Sequence, residues 1–404
     1  MEELASSRVN IVLQATYPVM EYITSSRWSE RRYEPGICDF LLGNPHDMPL
    51  PQFSEAMKKW STPQDKDWFA YKMSEPASRE VIASALRQSH ALPFEPEDIQ
   101  MTNGAFAGLT VALAALTDPG DEVIYISPPW FFYEALILAN YAKPVRVVCD
   151  LKTYDLDLKA ISDAIHAKTR AIIINSPNNP TGKIYPESTL RELADILNRA
   201  SEKFGRRIYI ISDEAYNQIV YDGNKYISPT AYYPHTFLVY TYGKTLLTPG
   251  QRLGYIAIPP TMPEKEMMRY AVLIAQIIAG YAFPNALLQH ALPDLQALSI
   301  DVGRLQVKRD RIYHELKDMG YELNCPQGTF YVLAHSPIPK DLEFTDRLAE
   351  RDVYCLPGSL FEMPGYFRIS LTANEDMIER SLPVFRWAIG EISSQKSEDS
   401  SQIS

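Results

Sequence analysis

Between Arg79 and Ser212 the sequence alternates amphipathic helical stretches with short apolar runs, an order that few folds can accommodate. A short run that is apolar throughout reads as a strand of a parallel sheet, buried on both faces by the helices that connect it to its neighbours. The clearest runs are Glu122–Ile126, Pro144–Cys149, Ala171–Asn175, Ile208–Ser212, Phe237–Thr241 and Leu253–Ile258, each apolar or β-branched and bounded by Pro, Gly, Asn or Asp. They predict an α/β layer fold around one large sheet. Helical spacing is plain in Glu187–Ala200, where Leu190, Leu193 and Leu197 recur three and four residues apart, and in Arg304–Met319, which stops at Gly320. Beyond Gly320 short strands (Thr329–Ala334, Val353–Leu356, Phe367–Leu371) alternate with helices, and a helix over Glu375–Ile392 closes the pattern. That change predicts a second, smaller α+β domain.

A chain of 404 residues exceeds what one core usually fills, since domains tend to split beyond about 250–300 residues. The pattern divides it into a large domain over 51–295 and a small domain over 296–393. Residues 1–50 are rich in aromatics and prolines, show no strand-helix alternation, and are expected to pack with the small domain. Residues 394–404 have the polar, aromatic-free composition of a disordered tail. A net charge of −11 repels phosphate backbones and anionic lipid, so a small molecule is a better expected partner than nucleic acid or a membrane. Cys38, Cys149, Cys325 and Cys355 are scattered without a CxxC pair, which argues against a zinc site or a disulfide framework. With no leader-like start and no run of 18 apolar residues, a cytoplasmic protein is expected.

Three clusters can carry chemistry. Asn175-Ser-Pro-Asn-Asn-Pro-Thr-Gly182 follows an apolar run and so lies at the carboxyl end of a parallel strand, where open α/β sheets bind ligands. Taken alone, an Asn/Pro turn closing a strand explains it equally well. Ser212-Asp213-Glu-Ala-Tyr216 puts a carboxylate and a phenol at the same sheet edge. A buried carboxylate needs a cationic partner, although a strand-end Asp capping the next helix is also common. Thr241-Tyr-Gly-Lys244 places a lysine between two strands with Arg252 eight residues later. A solvated surface chain is the ordinary fate of a lysine, but partial burial beside positive charge would make this one a nucleophile.

In this order and spacing the clusters resemble the class I/II aminotransferases, aspartate aminotransferase-like enzymes of fold type I, and the likeness runs from about Leu42 to Leu371. The resemblance implies a three-layer αβα large domain with a mostly parallel seven-stranded sheet and pyridoxal 5′-phosphate (PLP) as cofactor. It places the Schiff-base lysine at Lys244, the partner of the pyridine nitrogen at Asp213, and the ring-oxygen ligands at Tyr216 and Asn179. The phosphate cradle corresponds to Gly104, Ala105 and Phe106 at a helix start, which suits an anion. Thr241 and Arg252 match the side-chain phosphate ligands, and Trp130 matches the aromatic that stacks on the cofactor ring. Tyr71 matches the tyrosine sent across a homodimer interface to the partner's site, though the run Tyr71-Lys-Met-Ser-Glu-Pro-Ala-Ser holds no glycine where the family usually has one. Arg368 matches the arginine for the amino acid's α-carboxylate, a role suited to a bidentate guanidinium, and Gly43 matches the segment that closes over the substrate alongside Asn179.

The activity so implied moves the amino group of an L-amino acid to a 2-oxo acid, with Lys244, Asp213 and Tyr216 as the catalytic set. A PLP-dependent lyase, decarboxylase or oxidase on the same scaffold is the alternative. A non-catalytic PLP-binding regulator would need a DNA-binding module, and the roughly 40 residues before the matched region carry no basic helix-turn-helix pattern. No arginine or lysine stands out as a receptor for a distal carboxylate. Aromatics near Tyr281–Phe283 and Phe330–Tyr331 are compatible with a bulky or apolar substrate side chain, and equally with core packing.

Overall fold

The computed structural model of the chain describes residues 5–402, with side chains for 5–392. Its strands are β1 (Cys38–Asp39), β2 (Ile99–Thr102), β3 (Glu122–Ser127), β4 (Lys143–Val148), β5 (Thr169–Asn175), β6 (Tyr209–Asp213), β7 (Thr236–Thr241), β8 (Gly254–Ala257), β9 (Tyr331–His335), β10 (Val353–Tyr354), β11 (Leu356–Pro357) and β12 (Tyr366–Ser370). Seven of them form the central sheet in the order β2-β8-β7-β6-β5-β3-β4. Only β8 runs antiparallel to its neighbours. All six runs read from the sequence are in it. The seventh strand, β2, did not stand out, because four residues at a sheet edge are too few to show a period.

The apolar runs are buried as expected. Ile172, Ile173 and Ile174 of β5 are at most 1% exposed, and each aliphatic side chain so buried is worth about 1.5–3 kcal/mol. The helix Glu187–Phe204 carries β5 across to β6 with Leu190, Leu193 and Leu197 buried, and ends at Gly205 with φ +60°, the left-handed cap that glycine takes without steric cost. The helix Gly104–Leu116 follows β2 and packs on β6, β7 and β8. Its mean composition is apolar almost all round because both of its faces are covered.

The smaller domain is built on an antiparallel sheet, β11-β12-β9, packed by the helices Val302–Asp318, Asp341–Ala349 and Glu375–Gln402. Two parts of the chain differ from the sequence reading. The first 50 residues join both domains: β1 pairs with β10 of the small one, whereas the helix Ser7–Ser25 lies against Tyr133–Ala139 of the large one. The stretch 394–404, expected to be disordered, continues the last helix as far as Gln402, and 403–404 lie outside the described residues. Polar composition removes a packing face, but it does not stop a helix already nucleated by packing from propagating. Among the described residues no helix is long and apolar enough to cross a membrane.

Sheet register positions the site. Asn175 pairs with Asp213 across β5 and β6, and Asp213 with Val239 of β7. Gly254 faces Thr241 on one side and Thr102 on the other. The three polar clusters of the sequence therefore end on one edge of the sheet, and the small domain closes against it where Gln327 and Gly328 donate N–H bonds to the Gly182 carbonyl.

Candidate active site

A cavity opens at this edge, lined by Ala105, Phe106, Trp130, Asn179, Asp213, Tyr216, Thr241, Lys244 and Arg252 among others. Nine of the residues that the sequence singled out thus meet in one place, although they span more than a hundred positions of chain.

Asp213 is the buried anion of the site. It is 6% exposed, its Oδ2 accepts the Tyr133 hydroxyl at 2.7 Å and its Oδ1 the Ala215 N–H at 3.2 Å. Burial pushes its carboxyl above the usual range, while those two donors and the charge of Lys244 oppose the shift. Among the described residues it forms no salt bridge. Tyr133 was not read as a site residue: it lies three positions after Trp130, but nothing in the sequence links it to a carboxylate 80 residues away.

Asn175 holds the next element in place. Its amide donates to the Asp213 carbonyl at 2.8 Å, and its Oδ1 accepts the Asn179 N–H at 2.7 Å, so the strand end and the following turn are fixed together. Asn179 Oδ1 in turn accepts from Arg368 at 2.9 Å. Arg368 is 3% exposed and also donates to the Leu41 carbonyl at 3.0 Å, with its guanidinium 3.9 Å above the Tyr331 ring. Its Nε has no hydrogen-bond partner, and burial lowers its pKa. A fully buried guanidinium facing neutral groups awaits an anion.

Lys244 stands half-buried, its Nζ 5.6 Å from the ring centres of both Tyr216 and Phe330, and forms no salt bridge among the described residues. Tyr216 is 4% exposed, and burial raises its phenol well above the usual range. Thr241 caps the short turn carrying Lys244, its Oγ accepting the Gly243 N–H at 3.3 Å. Arg252 is anchored to the Pro249 carbonyl at 2.7 Å, forms no salt bridge among the described residues, and lies against the start of the helix Gly104–Leu116. Gly104 adopts φ +78°, and a Cβ there would stand 2.8 Å from the Arg252 guanidinium. The missing side chain keeps free N–H groups and a cation converging on one spot, as an anion requires.

Trp130 packs edge-on against Phe106 (5.1 Å), Phe132 (5.3 Å) and Tyr133 (5.6 Å) at the cavity wall. Gly43 lies under the small-domain sheet, where a Cβ would fall 2.5 Å from the Tyr331 hydroxyl and 2.9 Å from Phe330. Tyr71 is not part of this cavity: it is 85% exposed on an outer face, its ring 4.7 Å from Phe283.

The donor set fits PLP. A buried carboxylate suits a protonated ring nitrogen, Arg252 beside a helix start suits a phosphate, and an unpaired lysine suits a carbonyl carbon. Fold and site together define an α/β enzyme that works on a small anionic molecule at the carboxyl end of its sheet.

The profile of the aminotransferase class I and II family matches residues 36–383, and the chain belongs to that family. It is an aminotransferase, and members of the family are PLP-dependent. It is 32% identical to an aspartate aminotransferase of Thermotoga maritima over 75% of this chain and 78% of the relative. A probable aspartate aminotransferase of Methanocaldococcus jannaschii is 29% identical over 85% and 91% of the two chains. The crystal structure of an amino transferase from Eubacterium rectale superposes with a TM-score of 0.85 at 31% identity, covering 96% of each chain.

Proposed function

We propose that the chain transfers the amino group of an L-amino acid to a 2-oxo acid with PLP held at Lys244, in the cavity between Asp213 and Arg368. The observation that carries this reading is the set of charges that meet there without a salt bridge among the described residues, Asp213, Lys244 and Arg252, with Arg368 joined to the cavity through Asn179. When bound, PLP supplies an electron sink for the bond broken at the substrate's Cα. Asp213, kept in place by Tyr133, would pair with a protonated ring nitrogen. Arg252, Thr241 and the N–H groups of Gly104, Ala105 and Phe106 would receive the phosphate, Trp130 would line the ring, and Tyr216 and Asn179 would hold its oxygen. Arg368 grips the α-carboxylate beside Asn179 and Gly43, which sets the Cα–H bond for removal. Lys244 would hold the cofactor's carbonyl carbon, and its Nζ would serve as the base for the Cα proton.

The test is an absorbance spectrum of the protein with PLP, before and after amino acids are added without an oxo acid. A band near the visible edge that bleaches toward the ultraviolet is expected. A band that stays, or that decays with ammonia release or oxygen uptake, would move the reaction to lyase or oxidase chemistry. Relatives named as aspartate aminotransferases support an amino acid substrate.

A homodimer belongs to the same proposal. The helix Lys265–Ile278 presents Met267, Tyr270, Ile274 and Ile278 at 71%, 67%, 54% and 74% exposure, spaced three and four residues apart, and Tyr71 and Phe283 are exposed as well. An apolar stripe of this kind is the mark of a protein interface, and a second copy would bring its own Tyr71 to the shared face. Sedimentation at micromolar concentration is expected to give about twice the mass of one chain; a monomer there would remove Tyr71 from the site.

A further inference from the structure

Phe330 and Tyr331 carry no role in the reading above, yet Lys244 and Arg368 both rest against their rings. Strands β9 and β12 are antiparallel with Arg368 opposite Leu333, so Tyr331, two residues earlier on β9, is the diagonal neighbour of Arg368 on the same face of the sheet. The guanidinium stands 3.9 Å above the buried Tyr331 ring, a cation on an aromatic face. Beside it, Lys244 Nζ lies 5.6 Å from the ring centres of Phe330 and Tyr216. Tyr216 meets Phe330 and Tyr331 edge-on at 5.3 Å and 6.1 Å, and its hydroxyl interacts with that of Tyr331.

The backbone takes an unfavourable shape to place this pair. Thr329, fully buried, has φ +68°, a conformation that a β-branched residue rarely adopts. Three contacts enforce it: its N–H donates to the Ile219 carbonyl at 3.0 Å, its carbonyl accepts the Tyr221 hydroxyl, and its Oγ accepts the Tyr331 N–H at 3.1 Å. Strain of this kind persists only where the surroundings impose it, and it gathers at functional sites. On the opposite side, a Cβ on Gly43 would stand 2.5 Å from the Tyr331 hydroxyl, so the absent side chain keeps that space clear for it.

We infer that Tyr331 is a positioning residue for both halves of the site: its ring holds the Arg368 guanidinium ready for a carboxylate, and its hydroxyl orients that of Tyr216 toward the cofactor oxygen. The inference rests on the roles given to Arg368 and Tyr216 above. Burial by itself would raise the Tyr331 phenol, but the charges of Arg368 and Lys244 and the Tyr216 hydroxyl outweigh it and hold the group below the usual range. Burial, then Tyr331, keeps the Tyr216 phenol well above that range; Arg368 opposes the rise and Asp213 adds to it. The more acidic hydroxyl is the better donor, so Tyr331 donates to the Tyr216 oxygen and leaves the Tyr216 O–H free to act on the cofactor. A Tyr216 hydroxyl polarised in this way draws charge off the cofactor oxygen, which lowers the pH at which the visible band is lost.

Two variants separate the ring from the hydroxyl. Tyr331→Phe keeps the ring, and the visible band of its PLP-loaded form is expected to titrate at a pH roughly 0.4–1 unit above the parent's, the equivalent of one hydrogen bond. Its affinity for 3-phenylpropanoate and succinate, acids with no amine to react, should equal the parent's. Tyr331→Leu removes the ring as well and should bind whichever acid the parent prefers roughly 3- to 30-fold more weakly, the range of a cation–π contact. A purely structural role would instead move both readouts together with the unfolding temperature. A midpoint in Tyr331→Phe that stays or falls, or undiminished acid affinity in Tyr331→Leu, would overturn the inference and leave the aminotransferase reading intact. A parent that forms no visible band overturns the Lys244 assignment, and one that binds neither acid overturns that of Arg368, in each case with this inference.

Discussion

Lys244→Ala is expected to lose the visible band of the PLP-loaded protein and to lower amino transfer by roughly 10²–10⁴-fold, the span that a positioned acid–base group typically contributes. Its Nζ forms no hydrogen bond or ion pair among the described residues, so the fold does not depend on its charge. The variant should therefore unfold within a few degrees of the parent. Added methylamine offers a replacement base of similar chemistry and should restore part of the lost rate. Wild-type turnover in Lys244→Ala, measured by oxo acid release, would show that the covalent anchor and base lie elsewhere.

Arg368→Ala is expected to fail at a different step. The guanidinium is buried and held by Asn179, the Leu41 carbonyl and the face of Tyr331, so its geometry is set before substrate arrives. Truncating one member of a buried, hydrogen-bonded charge pair costs about 2–5 kcal/mol, or roughly 30- to 5,000-fold in kcat/KM. The loss should appear in KM for amino acids and in the affinity of 3-phenylpropanoate, while the visible band of the resting enzyme persists. Arg368→Lys should recover little, because an ammonium cannot reproduce the planar fork. Unchanged carboxylate affinity in either variant would remove Arg368 from substrate binding. The two variants thus separate cofactor attachment from substrate capture, one losing the band and the other keeping it.

The central strands were legible because a strand buried on both faces must be apolar at successive positions, and that requirement is met within five or six residues of contiguous chain. The short edge strand β2 was not, since only its pairing with β8 distinguishes it from a loop. The helix Ser7–Ser25 was missed for a related reason: it exposes Val9, Ile11, Leu13, Tyr17 and Met20, so its apolar positions do not fall on a single stripe. In the site, the family resemblance singled out Lys244, Asp213, Asn179 and Arg368; the first three line one cavity, and Arg368 is hydrogen-bonded to Asn179. It could not find Tyr133, whose hydroxyl meets Asp213 only because the helix that follows Trp130 folds back on the sheet.

The sequence by itself determined the α/β class, the strands that are apolar throughout, and the residues able to bear charge at strand ends, since each depends on chemistry within a short window. Tertiary structure decided which of those charges remain without partners. Asp213, Lys244, Arg252 and Arg368 are separated by up to 155 positions, and only sheet register and the closure of the small domain place the first three around one cavity and Arg368 against its Asn179. It also placed Tyr71 on an outer face and aromatic rings on the inner wall, because exposure and enclosure follow from how elements pack and not from any local pattern.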